Sequence, residues 1–458
     1  MTTQIRSFWM ISAGISAMAM ASLASPVPEA TPVPGGATPS PATVPTVKAP
    51  VTKVVAPVDT ANAALLAATE EVLRETSKLR QLSILRPVKS GTQSRSAIER
   101  KIIEELKKDK TQGQLVASEL ALKKLGLAPA SFQLRSFLIK VMTEQVAGYY
   151  DAKTNQFYLA DWIDVNSQKL VMAHELTHAL QDQHFNLSRF QKWPKGDSDA
   201  QLAAVALIEG DATFTMTRWL LQNPLQAAAL LPSLIRSPAN SEEIDRAPRA
   251  LRESMLFPYM QGMTWAGQVF QRGGWKALSN AFQRLPQSTE QILHSDKYFA
   301  REAPVKVVLP AVLPGLGKGW KRIDYDVNGE FGLYLTLDEF LKAALTSQQA
   351  AAGWAGDRYA LYQGPKKGDL LLAQLAVWDT EQDAREFFDA YARRTPLRYK
   401  NGSLKDTSSS TAAARAVRRV WRTGQGGVIM ERRGSRVLVV EGIPSRASVK
   451  RLIKALWR

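Results

Sequence analysis

Two imidazoles four residues apart with a carboxylate between them occur at His174-Glu175-Leu176-Thr177-His178. On a helix, positions i and i+4 lie on one face about one turn apart, so both rings can address a single tetrahedral cation. Glu175 stands one position round from that face, placed to reach a water rather than the cation. The chemistry this spacing suits is hydrolysis by a metal-activated water, with His174 and His178 as zinc ligands and Glu175 as general base. Leu170-Val171-Met172-Ala173 before the motif and Ala179-Leu180 after it predict a buried helix that keeps the site partly dry. The chain holds four histidines and no cysteine, which excludes thiolate zinc sites, cysteine nucleophiles and disulfides.

A catalytic zinc takes three protein ligands and keeps one position open. Two residues compete for the third place. His184 lies six residues after His178, where one class of zinc enzymes has its third histidine, but Gln181 replaces the glycine that lets the chain leave the helix there. Glu209 lies in Val205-Ala206-Leu207-Ile208-Glu209-Gly210-Asp211-Ala212, an acidic residue in a strongly apolar helical run. A carboxylate buried on such a face needs a partner, and a cation is one, so Glu209 is the preferred third ligand. Gly210 beside it allows a close approach of another helix. Asp211 and Asp182 are candidates to orient a ligand imidazole.

The pair His174 and His178 with a glutamate on a following helix resembles the gluzincin class of zinc peptidases, of which thermolysin-like enzymes are members. Four segments together resemble secreted bacterial metallopeptidases of uncharacterised substrate: Glu144 to Asp151, His174 to Phe185, Glu209 to Thr213 and Ser288 to His294. The likeness extends from about Leu82 to Tyr298. It implies a mainly helical zincin-like domain, bound Zn2+ and hydrolysis of a peptide or protein substrate. Two features depart from the thermolysin-like pattern. The interval from His178 to Glu209 is longer, and Thr213 stands where an acidic residue is expected four positions after the ligand glutamate. Such an enzyme also needs a donor aimed at the developing oxyanion. His294, at the end of Ser288-Thr289-Glu290-Gln291-Ile292-Leu293, is the first candidate, with Tyr149 and Tyr259 as rivals.

The elements that must position these residues follow from periodicity. Helical spacing predicts helices over 61–79, 97–108, 134–148, 167–183, 199–222, 244–257 and 261–271, a hairpin over 149–159 and a short strand over 82–88. Beyond residue 300 the pattern changes to strands at 306–309, 359–362, 370–377, 418–422, 427–431 and 437–441, with helices at 380–393 and 448–457. The fold class expected is α+β: a helical peptidase domain over 59–300 with a small sheet, then a smaller α+β unit over 301–458. Trp354, Tyr359, Tyr362, Trp378 and Trp421 are expected in that unit's core, with a ligand-binding surface as the alternative.

At the N-terminus, Arg6 precedes an uncharged apolar stretch from Phe8 to Ala24 closing on Ser22-Leu23-Ala24, which reads as a cleaved export signal over 1–24. A Pro/Thr/Val/Ala-rich tract over 25–58 reads as an extended tether. An exported protein (periplasmic, cell-surface or extracellular) is therefore expected, with no membrane-spanning helix after signal cleavage. The net charge of +17 suits anionic surfaces such as a cell-surface polymer, and no basic run is interleaved with aromatics on a nucleic-acid-binding module. The alternative to a peptidase is a non-catalytic exported protein that uses zinc as a staple and binds surfaces or cell wall.

Overall fold

A computed structural model describes residues 58–107, 109–145, 148–163, 165, 168–192, 196–227, 242–400, 405–406 and 416–457. The export signal and, but for Val58, the tract behind it lie outside the described residues. The helices that matter here are α1 (Val58–Arg80), α2 (Arg95–Lys107), α3 (Asp109–Leu125), α4 (Leu134–Gln145), α5 (Lys169–Phe185), α6 (Ser198–Gln222), α7 (Arg249–Ala281), α8 (Thr289–Leu293), α9 (Ser295–Ala300), α10 (Gly329–Leu341), α11 (Ala344–Ala351), α12 (Glu381–Tyr399) and α13 (Val449–Leu456). Among the described residues none is long and apolar enough to cross a membrane. The chain is α+β, as its hydrophobic pattern predicts.

Strands β1 (Lys89–Gln93), β2 (Gly148–Asp151) and β3 (Gln156–Ala160) form a small sheet in the order β1-β3-β2, with β1 parallel and β2 antiparallel to β3. The hairpin falls where expected. The first strand does not: 82–88 is irregular, and pairing starts only after Pro87, which has no N–H to give a ladder. The hydrophobic residues of α5 pack between this sheet and α1, with Leu170, Met172, Ala173, Leu176, Ala179 and Leu180 set against Val72, Phe157 and Leu159.

Helix α7 spans 249–281, with no break between 257 and 261 where the two expected helices part. Pro258 sits inside it, and the departure from helical geometry comes instead at Gly273 and Gly274. Close to the proline, α7 lies against α6, where Gly210 faces Gly262. A Cβ at Gly210 would come within 2.2 Å of the Gly262 carbonyl carbon, so the two backbones touch. Glycine at both positions is what permits this approach.

The C-terminal half builds a seven-stranded antiparallel sheet from β4 (Lys321–Asp326), β5 (Trp354–Gln363), β6 (Leu370–Trp378), β7 (Lys405–Asp406), β8 (Ala416–Thr423), β9 (Gly426–Arg433) and β10 (Arg436–Ile443), ordered β4-β5-β6-β10-β9-β8-β7. Alternation along β10 sends Val437 and Val439 to the face covered by α10, α11 and α12, and Leu438 and Val440 to the face covered by α13. The strand expected at 306–309 is instead an extended segment laid on that second face, with Val307 and Leu309 buried. Trp354, Tyr359, Tyr362, Trp378 and Trp421 are buried, which places all five in the core rather than on a binding surface. One apolar cluster runs from Ile98 and Leu122 through Leu251 to Phe331, Leu335 and Leu372, so the halves share a core across residue 300.

Candidate metal centre

Helix α5 carries His174, Glu175 and His178 entirely inside the protein, and α6 presents Glu209 to them. His174 Nε2 and His178 Nε2 lie 3.0 Å apart, and Glu209 Oε2 is 3.2 Å from the first and 3.3 Å from the second. Burial opposes charge on Glu209, but the two imidazoles outweigh it and hold its carboxyl down at about 2. Burial likewise strips His174, lowered to about 4, whereas Glu209 keeps a proton on His178, raised to about 9 against the pull of burial.

The donor set and its spacing suit zinc. Bonds of about 2.0–2.2 Å to a tetrahedral ion place neighbouring ligand atoms about 3.3–3.5 Å apart. The trio's separations of 3.0–3.3 Å come close to that spacing, so His174, His178 and Glu209 could hold such an ion.

Gln181 sets the orientation of His178. Its Nε2 donates to the Ile208 carbonyl at 3.1 Å and to Asp211 Oδ2 at 2.9 Å, which leaves its Oε1 to accept from His178 Nδ1 at 2.8 Å. Nδ1–H is thereby held on Gln181, so Nε2 is the nitrogen turned to Glu209 and would ligate a cation once its own proton is lost. Asp211 is anchored in turn by Arg80 Nε at 2.7 Å, a fully buried ion pair, and the Arg80 guanidinium lies over the Trp275 ring. Asp211 thus acts on an imidazole only through Gln181. Asp182 touches neither ring: it accepts from Tyr150 Oη, Arg86 Nη2 and the Leu187 amide. The glutamine that breaks the expected glycine pattern is the orienting residue, and its signal was its place three residues after His178 on the buried face. Arg80, 131 positions from Asp211, left no signal in the sequence.

Glu175 accepts from the Tyr150 amide at 2.8 Å, which ties the general-base candidate to β2. His184 is turned away from the trio, its Nε2 on the Ser83 carbonyl at 2.8 Å. Helix α7 brings Tyr259 in: its ring centroid is 6.2 Å from that of His174, its hydroxyl donates to Glu209, and it is 2 % exposed. His294 is not brought to this group. It closes α8 and binds Glu330 of α10 at 2.8 Å, because the turn between α8 and α9 points it at the C-terminal half. Tyr149 is committed to Gln93 and Lys101. Of the three oxyanion-donor candidates, only Tyr259 therefore stands against the trio. A second acidic group, Glu290, Glu302 and Asp379, surrounds Lys297 Nζ at 2.6–2.7 Å, and the lysine fills the place a cation would take.

Residues 318–453 match the family model described as a domain of unknown function (DUF8575), a span that contains none of the trio. No curated protein and no solved structure matches the chain.

Proposed function

We propose that the chain is an exported zinc metallopeptidase with a zincin-like catalytic half, in which His174, His178 and Glu209 hold the metal. The observation that carries this is the trio itself: three buried donors on two helices at tetrahedral spacing, with Glu175 beside them on the same helix as both histidines. A structural zinc site fills all four positions, usually with cysteine, and has no use for a carboxylate at Glu175.

Zinc bound there would supply the Lewis acidity that polarises a peptide carbonyl and makes water acidic near neutral pH. Glu175, steadied by the Tyr150 amide, takes a proton from the attacking water as the C–O bond forms. It returns that proton to the leaving nitrogen as the C–N bond breaks. The Tyr259 hydroxyl, which donates to Glu209 here, would turn that proton to the oxyanion once a metal takes up the Glu209 charge. Gln181 and Asp211 hold His178 in place throughout.

Metal analysis of the purified protein, together with hydrolysis of a mixed peptide library, tests the reading. One zinc per chain and cleavage are expected. Glu209→Ala should lose zinc on dialysis and His184→Ala should keep it. The reverse order would move the third ligand to His184.

A further inference from the structure

Beside the trio lies an apolar pocket of about 80 Å3 with Glu209 and Tyr259 in its wall. Four elements that are distant in sequence build the rest: Leu122 and Leu125 from α3, Val205 from α6, Met255 from α7, and Phe331 and Gly332 from α10. The last two belong to the half that matches the domain of unknown function. Taking the peptidase reading as its basis, we propose that this pocket receives a bulky apolar side chain of the peptide next to the scissile bond, and that the C-terminal half sets the pocket's size.

Three observations fix the occupant's chemistry. The walls are aliphatic and aromatic, so they offer an incoming side chain dispersion and burial but few hydrogen bonds. Asp199, the other carboxylate in the lining, is already engaged by the Thr289 amide at 3.0 Å and the Thr289 hydroxyl, and it offers little to a basic side chain. Glu209 belongs to both the pocket wall and the candidate metal group, and Tyr259 in the wall packs against His174, so a side chain seated here keeps its backbone near the trio. Phe331 packs on Phe257, with ring centroids 4.3 Å apart, which braces the C-terminal side of the pocket against α7.

Gly332 gives a direct handle. A Cβ there meets only Asn328 Cβ, at 3.4 Å, an ordinary contact, and glycine in the interior of α10 favours the helix less than leucine does. Gly332→Leu should therefore fold, bind zinc as the wild type does, and occupy part of the pocket. Leu122→Ala should enlarge it.

The experiment sequences the products of a mixed peptide library cleaved by zinc-loaded wild type, Gly332→Leu and Leu122→Ala. In parallel it measures binding of N-acetyl-leucinamide and N-acetyl-glycinamide to zinc-free protein. Wild type should enrich Leu, Phe or Met at one position flanking the cut by about tenfold to a hundredfold over Gly. Gly332→Leu should shift that position to Gly, Ala and Ser, and Leu122→Ala should shift it to larger aromatic residues. The leucine probe should bind more tightly than the glycine probe, and Gly332→Leu should abolish the difference. Cleavage without apolar enrichment, or a profile that neither variant alters, overturns the pocket assignment and leaves the peptidase reading standing. If zinc-loaded wild type cleaves nothing, the peptidase reading falls and the substrate role with it. The probe comparison then decides whether the pocket binds apolar side chains at all.

Discussion

Glu209 is buried among two imidazoles and a phenol, and each of those neighbours depends on it. Charge in such a place is costly unless it is compensated, and on the proposed reading a divalent cation supplies that compensation. Tyr259 has no comparable structural duty in the group beyond its bond to Glu209. Tyr259→Phe should therefore retain zinc and lower kcat by about a hundredfold or more, as loss of an oxyanion donor does. His294→Ala, which removes only the contact to Glu330, should leave kcat near wild type; steady-state kinetics on one cleaved peptide separates the two. The histidine pair was legible because helical spacing is fixed by the backbone, and Glu209 because an acid stands out in an apolar run. Tyr259 was legible only as a rival, since a tyrosine on an amphipathic helix has no spacing rule to mark it. Gln181 was read for what it replaced rather than for the amide it brings.

The contact between α6 and α7 is what delivers Tyr259 to Glu209. It depends on Gly210 and Gly262 meeting backbone to backbone, so a single methyl group must push the helices apart. Gly210→Ala should lower stability by about 1–3 kcal/mol, read from the urea denaturation midpoint, and weaken zinc retention because Glu209 is the adjacent residue. Had the helices room to spare, neither measurement would move. Sequence periodicity located α1, α2, α4, α5 and α6 closely, since each has a buried face. It split α7 at Pro258, because the local rule against proline inside a helix cannot weigh the tertiary contact that overrides it. It missed β4, whose Lys321-Arg322-Ile323-Asp324-Tyr325-Asp326 reads as a polar cluster yet pairs along β5.

The two halves are locked by a buried charge cluster as well as by a shared apolar core. Glu441 on β10 accepts from Arg394 Nη1 at 2.8 Å, from Arg398, and from the hydroxyls of Tyr391 and Tyr399. The same two arginines donate to the Leu125 and Lys124 carbonyls at the end of α3. The cationic neighbours hold the Glu441 carboxyl far below the usual carboxylate range in spite of burial. Glu441→Ala would strand two arginines in the interior, and it should cost about 3–5 kcal/mol in denaturant titration, a loss too large for a surface ion pair. Such long-range closure is invisible along the chain, where Leu125 and Arg394 are 269 positions apart. It also keeps Phe331 and Gly332 of the C-terminal half in the wall of the pocket that Glu209 lines. The most direct measurement compares wild type and Glu175→Gln for zinc content and peptide hydrolysis in the same preparations. One zinc per chain in both, with hydrolysis reduced by about a hundredfold or more in the variant, is the expected result. Hydrolysis undiminished in Glu175→Gln, or no zinc in an active wild type, would contradict it.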